Sequence, residues 1–318
     1  MLTEFDIIQR FFMPPTDHTV LAGGDDAALI AVAPGMELAV STDALIAGRH
    51  FSEDADAYGV GYKCMAVNLS DMAAMGATPR WATLTLSLPE ANAQWLEQFA
   101  RGFLDLAAEH GVDLIGGDTT RGPLMVCVQI MGELPAGKAL LRSGAHPGDD
   151  LWVSGAVGDA ALALAHVRGD FRVPANDLDY MFRRLNQPQA RVALGQALIG
   201  IASSAIDISD GLVADVGHVA AASGVRAVMY WELIPLSSVA KRHRNHPLVR
   251  QAALAGGDDY ELAFTAAPGG RAEIEMLAGK LGLDLTRIGV IEPGAGAVVL
   301  DGNGEPIALA ETGFDHFR

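Results

Sequence analysis

The stretch PAGKALLRSGAHPGDD, residues 135 to 150, constrains this chain more than any other. It is rich in glycine and proline and lacks both helical and strand periodicity, so regular elements stop on one side of it and restart on the other. It lies near the middle of 318 residues, and each flank is long enough to bury a core of its own. The chain is therefore read as an N-terminal domain over 1–135, a junction over 136–148 and a C-terminal domain over 149–318.

Within each flank the apolar period alternates between that of a strand and that of a helix. Thr3 with Asp6 marks a helix start, with Phe5, Ile8 and Phe12 as its apolar face and Pro14-Pro15 as its stop. The pattern then predicts a strand over 36–42, a helix over 57–76, a strand over 80–88 and a helix over 91–110. A short strand at VDLIGG and a long alternating one at LMVCVQIMGEL close the first half. In the second half LWVSG, AIDIS, VRAVMYWEL, YELAFTA, LTRIGVI and AVVLD read as strands, and 158–167, 177–185, 189–200, 211–222 and 270–281 as helices. Both halves are of mixed α/β or α+β class. The tetrapeptide GGDD occurs in each half, at 23–26 and 256–259, which is too short a match to establish an internal duplication.

Several function classes are disfavoured at once. A formal charge of −17 repels nucleic acid and anionic membranes. No apolar run approaches the roughly 18 residues of a membrane span, and Glu4, Asp6 and Arg10 stand where an export signal would be apolar. Two cysteines, Cys64 and Cys127, without metal-ligand spacing fit a reducing cytoplasm. There is no G-x-x-x-x-G-K-[ST] loop, no kinase-type H-R-D with D-F-G, and no strand-linked G-x-G-x-x-G, so a nucleotide site here would be of another kind.

The acidic residues are placed unusually. Asp25, Asp26, Asp43, Asp71, Asp118, Asp207 and Asp210 lie at the ends of apolar runs or in Gly/Ser/Thr turns, away from polar helix faces. A single such residue is ordinarily a helix cap or an Asx-turn, and Asp210 before GLVADVGHVAAA fits a cap. The repetition favours a hard divalent cation such as Mg2+, which takes one or two carboxylates together with water and phosphate oxygens. The same segments contain no histidine or cysteine, which argues against zinc. GGDTTRG at 116–122 reads as a loop after a strand, able to cradle phosphate or simply to turn. Arg142 offers a guanidinium fork suited to phosphate or to a linker ion pair.

The segments GGDDAAL, STDALIAGRHF, NLSDMAAMGATP, LIGGDTTRGP, LLRSGAHPGD, SAIDISDGL, GGDDYELAFT and GFDHF, in this order, resemble the motifs of the thiamine-monophosphate kinases. The resemblance runs from about residue 3 to the end of the chain. It implies a two-domain fold similar to aminoimidazole ribonucleotide synthetase, with the N-terminal domain forming a barrel across a homodimer. It also implies Mg2+-dependent transfer of the ATP γ-phosphate to thiamine monophosphate. On the resemblance, Asp26, Ser41, Thr42, Asp43, Asp71, Asp118, Asp207 and Asp210 correspond to metal-site positions, with Asp118 and Asp210 next to the chemistry. Gly117, Arg142 and Ser209 correspond to ATP contacts, and His50, Asp258 and Phe314 to positions facing the thiamine phosphate.

Two residues depart from the family pattern. Asp258 replaces the glutamate of GGEDYEL, shortening its reach, and Phe314 stands where Tyr or Trp is common. His50 in AGRHF has the alternative reading of a turn-closing residue, and Phe314 that of a C-terminal anchor. Other ATP-using enzymes of the same superfamily are the first rival reading. The selenophosphate synthetase type needs a reactive Cys or selenocysteine near its N-terminus, whereas the first Cys here is Cys64. The hydrogenase-maturation type ends in a Cys-containing tail, whereas this sequence ends HFR. A non-catalytic store of divalent cations is the rival of another class, and it would gather its carboxylates within one loop.

Overall fold

The computed structural model describes residues 2–317, which form two compact units: 2–72 with Ala77–Gly137, and Ala73–Gly76 with 138–317. Among the described residues no helix is long and apolar enough to cross a membrane.

The first unit opens with helix α1 (Glu4–Phe11), whose N-terminus is closed by a capping box: Thr3 accepts from the Asp6 amide while Asp6 accepts from the Thr3 amide. Its buried residues are Ile7 and Phe11, with Phe12 just beyond, and Phe5 is 77% exposed. The expected Phe5/Ile8/Phe12 face is thus rotated, because in so short a helix the i, i+4 pair Ile7/Phe11 suffices to dock it. Strand β1 (Met36–Ile46) runs four residues past its expected end, and helix α2 (Ala57–Met75) follows. Then come β2 (Thr78–Leu88), α3 (Ala93–Glu109), β3 (Asp113–Arg121) and β4 (Met125–Pro135). The sheet order is β1-β4-β2-β3, with β2 and β3 parallel and the other pairs antiparallel. Met65, Leu69, Met72, Leu86, Phe99, Phe103 and Ile130 form the buried centre of this unit, and Trp95 stacks on Phe99 at 5.1 Å. Trp81 packs with Ile115 and Met131.

The second unit contains β5 (Asp150–Ser154), α4 (Asp159–Arg168), α5 (Leu178–Asn186), α6 (Val192–Ala197), β6 (Ser204–Asp207) and α7 (Leu212–Ser223). They are followed by β7 (Arg226–Tyr230), α8 (Ser238–Lys241), α9 (Pro247–Ala255), β8 (Leu262–Ala266), α10 (Arg271–Leu281), β9 (Leu285–Glu292) and β10 (Gly296–Leu300). The six-stranded sheet has the order β10-β7-β9-β5-β8-β6, antiparallel except for β10 with β7. Leu151, Val153 and Ile206 of the sheet pack with Leu212, Val216 and Val249 of the helices. The helix expected over 189–200 contracts to Val192–Ala197. Helix α9 was not expected, although His246 as its N-cap and Pro247 as its first residue are ordinary start signals.

Candidate active site

In the first unit the acids are presented by strands and by one helix. Strand β1 alternates faces: Ser41 and Asp43 are half-buried, and Thr42 between them is exposed on the opposite side. The Ser41 hydroxyl donates to Asp71 Oδ2 on α2 at 2.5 Å, so these two residues are brought together. Asp43 shares a strand face with Ser41, and hence with the Ser41–Asp71 pair on α2. Asp26 is exposed in the turn of the first GGDD, where its amide bonds Asp25 Oδ1 at 3.0 Å.

The segment GGDTTRG does not form a separate loop. Strand β3 continues through it to Arg121, so the expectation of a loop is corrected to an outer strand of the sheet. The register against β2 slips at Ile115, a bulge that the two following glycines accommodate. Gly117 has φ +149°, and a Cβ there would lie 1.8 Å from the Leu84 carbonyl oxygen, so the position admits only glycine. Asp118, next in line, is exposed and pairs in register with Thr85. Asp43 is on β1 and Asp118 on β3, the two outer strands of the sheet. Three strand spacings separate them, about 14 Å, too far for one ion to bind both within one copy.

His50 closes the turn at the end of β1. Its Nδ1 accepts from the Ile46 amide at 3.0 Å, and its own amide donates to the Ile46 carbonyl. In the neutral ring the proton is therefore on Nε2.

In the second unit one short turn gathers motifs that are far apart in sequence. Strand β6 ends at Asp207, which is buried, and residues 208–211 lead into α7. The Ser209 carbonyl accepts from the Asp258 amide and the Asp210 carbonyl from the Phe314 amide, each at 2.9 Å. Asp258 is held at φ +68°, and its Oδ1 accepts from the Tyr260 hydroxyl at 3.0 Å. Gly257 allows this approach, since a Cβ there would lie 2.4 Å from the Ser209 carbonyl. Phe314 is 47% exposed, and its ring meets His316 edge-on at 4.8 Å. Arg142 is exposed beside β6, to which Leu141 is bonded through the Ala205 amide.

Burial raises the Asp210 carboxyl above its ordinary value, and the Asp258 charge adds to this, while His316, His218 and Arg142 oppose it. The expectation that Asp210 caps α7 is corrected, because the cap residue is Gly211 and makes no side-chain bond. Asp215, inside the helix, instead accepts from the amides of Ser209, Asp210 and Gly211, each at 3.1 Å. Burial first, and the Asp210 charge second, push Asp215 up to about 7.

Behind the second GGDD lies a polar network that the sequence reading did not single out. Both Asp259 oxygens accept from the Gly158 amide at 2.9 Å. Glu261 is fully buried and binds Ser154 Oγ at 2.6 Å, Arg184 at 3.1 Å and Arg191 at 2.5 Å. Asp159 accepts from Ser237 and Tyr180, whose phenol is pushed up to about 12 by burial and by that carboxylate.

The donor set suits a hard cation. Ser41, Asp43 and Asp71 in the first unit, and Asp207 and Asp210 in the second, offer oxygen. Among the described residues no three His, Cys, Asp or Glu side chains form a ready metal cage. Carboxylates presented singly or in pairs match the way Mg2+ is held, with water and phosphate filling the remaining positions.

Residues 24–134 match the family described as AIR synthase related protein, N-terminal domain, and residues 146–301 match the corresponding C-terminal domain. In tandem they define a protein of the AIR synthase-related class with a mixed α/β two-domain fold. Over 318 aligned residues the chain is 43% identical to the thiamine-monophosphate kinase of Escherichia coli (strain K12), covering 99% of this chain and 98% of that one. A crystal structure of thiamine-monophosphate kinase from Stenotrophomonas maltophilia K279a matches at TM-score 0.86 and 46% identity, over 92% of this chain and 93% of that one. AaThiL complexed with AMPPCP and TMP matches at TM-score 0.78 and 30% identity, over 92% and 91%. The chain belongs to the thiamine-monophosphate kinase family, and it is an enzyme. Membership at this identity removes the cation-store and sister-enzyme readings.

Proposed function

We propose that this enzyme transfers the γ-phosphate of ATP to thiamine monophosphate, yielding thiamine diphosphate and ADP, by a direct in-line step assisted by Mg2+. The observation that carries the reading is the turn at 208–211, onto which the segments holding Asp258 and Phe314 are hydrogen-bonded. ATP and a phosphate monoester together bring about six negative charges, and phosphoryl transfer is catalysed mainly by positioning and by charge neutralisation. Mg2+, when bound, supplies that neutralisation on the phosphate oxygens.

Asp26, Ser41, Asp43, Asp71 and Asp118 of the first unit, and separately Asp207 and Asp210 of the second, are the residues we assign to hold several Mg2+ ions. Thr42, whose side chain points to the other face, contributes through its main-chain carbonyl. Arg142 grips phosphate oxygens with its fork, Ser209 binds ATP through its hydroxyl, and Gly117 lets the β3 backbone approach the nucleotide closely. His50 offers Nε2–H to the substrate phosphate. Asp258, oriented by Tyr260, faces the thiamine moiety, and the Phe314 ring stacks on the cationic thiazolium. The acceptor oxygen is already an oxyanion, so the step needs no general base. Free Cys64 and Cys127 support a cytoplasmic setting.

We further infer a homodimer whose first units close a barrel. Strand β1 is an outer strand with an edge unpaired among the described residues, and one of its faces exposes Leu38, Val40 and Ile46, which a second copy would cover. Closure by a partner also supplies a way to bring Asp43 of one copy near the Asp118 edge of the other. Wild-type protein given ATP, Mg2+ and thiamine monophosphate is expected to form thiamine diphosphate, and its absence would overturn the kinase reading for this chain. Asp43→Asn and Asp118→Asn homodimers should each be inactive. The co-expressed, doubly tagged heterodimer should regain roughly half the wild-type activity, because one of its two composite sites is intact. A heterodimer as inactive as its parents would show that the site does not combine Asp43 and Asp118 from different copies.

A further inference from the structure

Asp215 is an acid in the wrong place for a cap. It lies on the apolar stripe of α7 with Leu212, Val216 and Val219, and it is 3% exposed. A buried carboxylate there is costly unless its hydrogen bonds are made. Its Oδ2 makes them, accepting from the Ser209, Asp210 and Gly211 amides at 3.1 Å each. An ordinary cap satisfies the first amides of its own helix. These amides belong to the approach to α7, so the carboxylate fixes the turn more than the helix.

The amides of this turn point inward to Asp215, and the Ser209 and Asp210 carbonyls accept from the Asp258 and Phe314 amides. With the backbone of Ser209 and Asp210 engaged on both sides, their side chains are left to meet the ligand. The turn therefore cannot use these amides as a phosphate nest without breaking its anchor.

We propose that Asp215 is a positioning residue for phosphoryl transfer, setting the Asp210 carboxylate and the substrate-side segments by holding the 209–211 amides. The proposal rests on the assignment of Asp210 to Mg2+ made above. Partners one step removed from a metal ligand typically change metal affinity by 10–100-fold.

The test compares Asp215→Ala, Asp215→Asn and Asp210→Asn in the full chain, with saturating AMPPCP. Mg2+ is titrated and followed calorimetrically, and amide exchange is read at residues 208–211. Asp215→Ala should raise the Mg2+ midpoint by about tenfold or more and accelerate exchange at 209–211. Asp215→Asn, whose Oδ1 still accepts, should stay within about threefold of wild type. A loss of folding stability alone would not move the midpoint. If Asp210→Asn shifts the midpoint and Asp215→Ala does not, the positioning role is overturned while the Mg2+ assignment stands. If neither shifts it, the assignment of Asp210 fails and the proposal falls with it. Should the alanine variant not fold, Asp215→Leu, which continues the apolar stripe of α7 but accepts no hydrogen bond, takes its place: a raised midpoint with faster exchange at 209–211 supports the anchor, and an unshifted midpoint overturns it.

Discussion

Asp118→Asn should lower turnover by about two to three orders of magnitude, the range seen when one preorganised electrostatic group is removed from a phosphate or oxyanion site. The same variant should melt within about 2 °C of wild type, because changing an exposed side chain costs little. The two effects separate because of where Asp118 lies. It is exposed on the outer strand β3, and its backbone is fixed by pairing with Thr85 and by the Gly117 approach to Leu84. The strand thus keeps its form without the charge, while on the proposed assignment the site loses an oxygen offered to Mg2+. Steady-state kinetics with calorimetry checks both halves. Near-normal turnover would remove Asp118 from the catalytic set, and a large fall in melting temperature would show that it is structural.

Glu261→Ala should do the reverse, with its main effect on stability. Glu261 is fully buried between Arg184 and Arg191, and Arg184 is held above its usual range by Glu261, Asp259 and Asp159 in spite of burial. Removing one partner of a buried ion pair strands the other charges and typically costs about 3–5 kcal/mol. In a unit of this size that corresponds to a melting shift of about 6–20 °C. Gly155 sharpens the expectation, since a Cβ there would lie 2.3 Å from Glu261 Oε1, so the carboxylate is packed as tightly as it is bonded. Thermal unfolding of the variant checks it. A shift under about 3 °C would mean that the network adds little to the second unit.

These two acids also mark what could be read from the sequence. Asp118 enters the proposed metal set through the repetition of acids at strand ends and turns and through the family resemblance, and the structure adds that it is exposed on β3. The long elements were legible for another reason: α2, α3 and β4 carry their period over many residues, and their ends fall within two residues of expectation. Glu261 in YELAFTA looks like one polar residue in an apolar strand, and its partners Arg184 and Arg191 are some 70 or more residues away. Local period carries no trace of such pairing. Asp215 carries a sequence signal of its own, an acid on the buried stripe of an otherwise apolar helix. Asp210 took the cap reading instead, because an acid just before a helix is the commoner cap. The glycines of GGDTTR point to a loop in the sequence. In the sheet those glycines absorb a bulge and let the strand continue.

The two GGDD segments also prove to differ. The first is an exposed turn, and the second holds Asp258 in a left-handed conformation against the Ser209 carbonyl, with Asp259 turned inward to Gly158. Sequence identity over four residues concealed two environments. In the second, the Asp258 amide and the Asp259 carboxylate bond Ser209 and Gly158, both distant in sequence.

The central claim is direct transfer of the γ-phosphate to thiamine monophosphate, and ATP made chiral at the γ-phosphorus by oxygen isotopes tests it most directly. With Mg2+ and thiamine monophosphate present, the labelled phosphoryl group should appear in thiamine diphosphate with inverted configuration, one ADP released for each product formed. Retention of configuration would contradict the direct step, and thiamine diphosphate without the label would contradict the transfer itself.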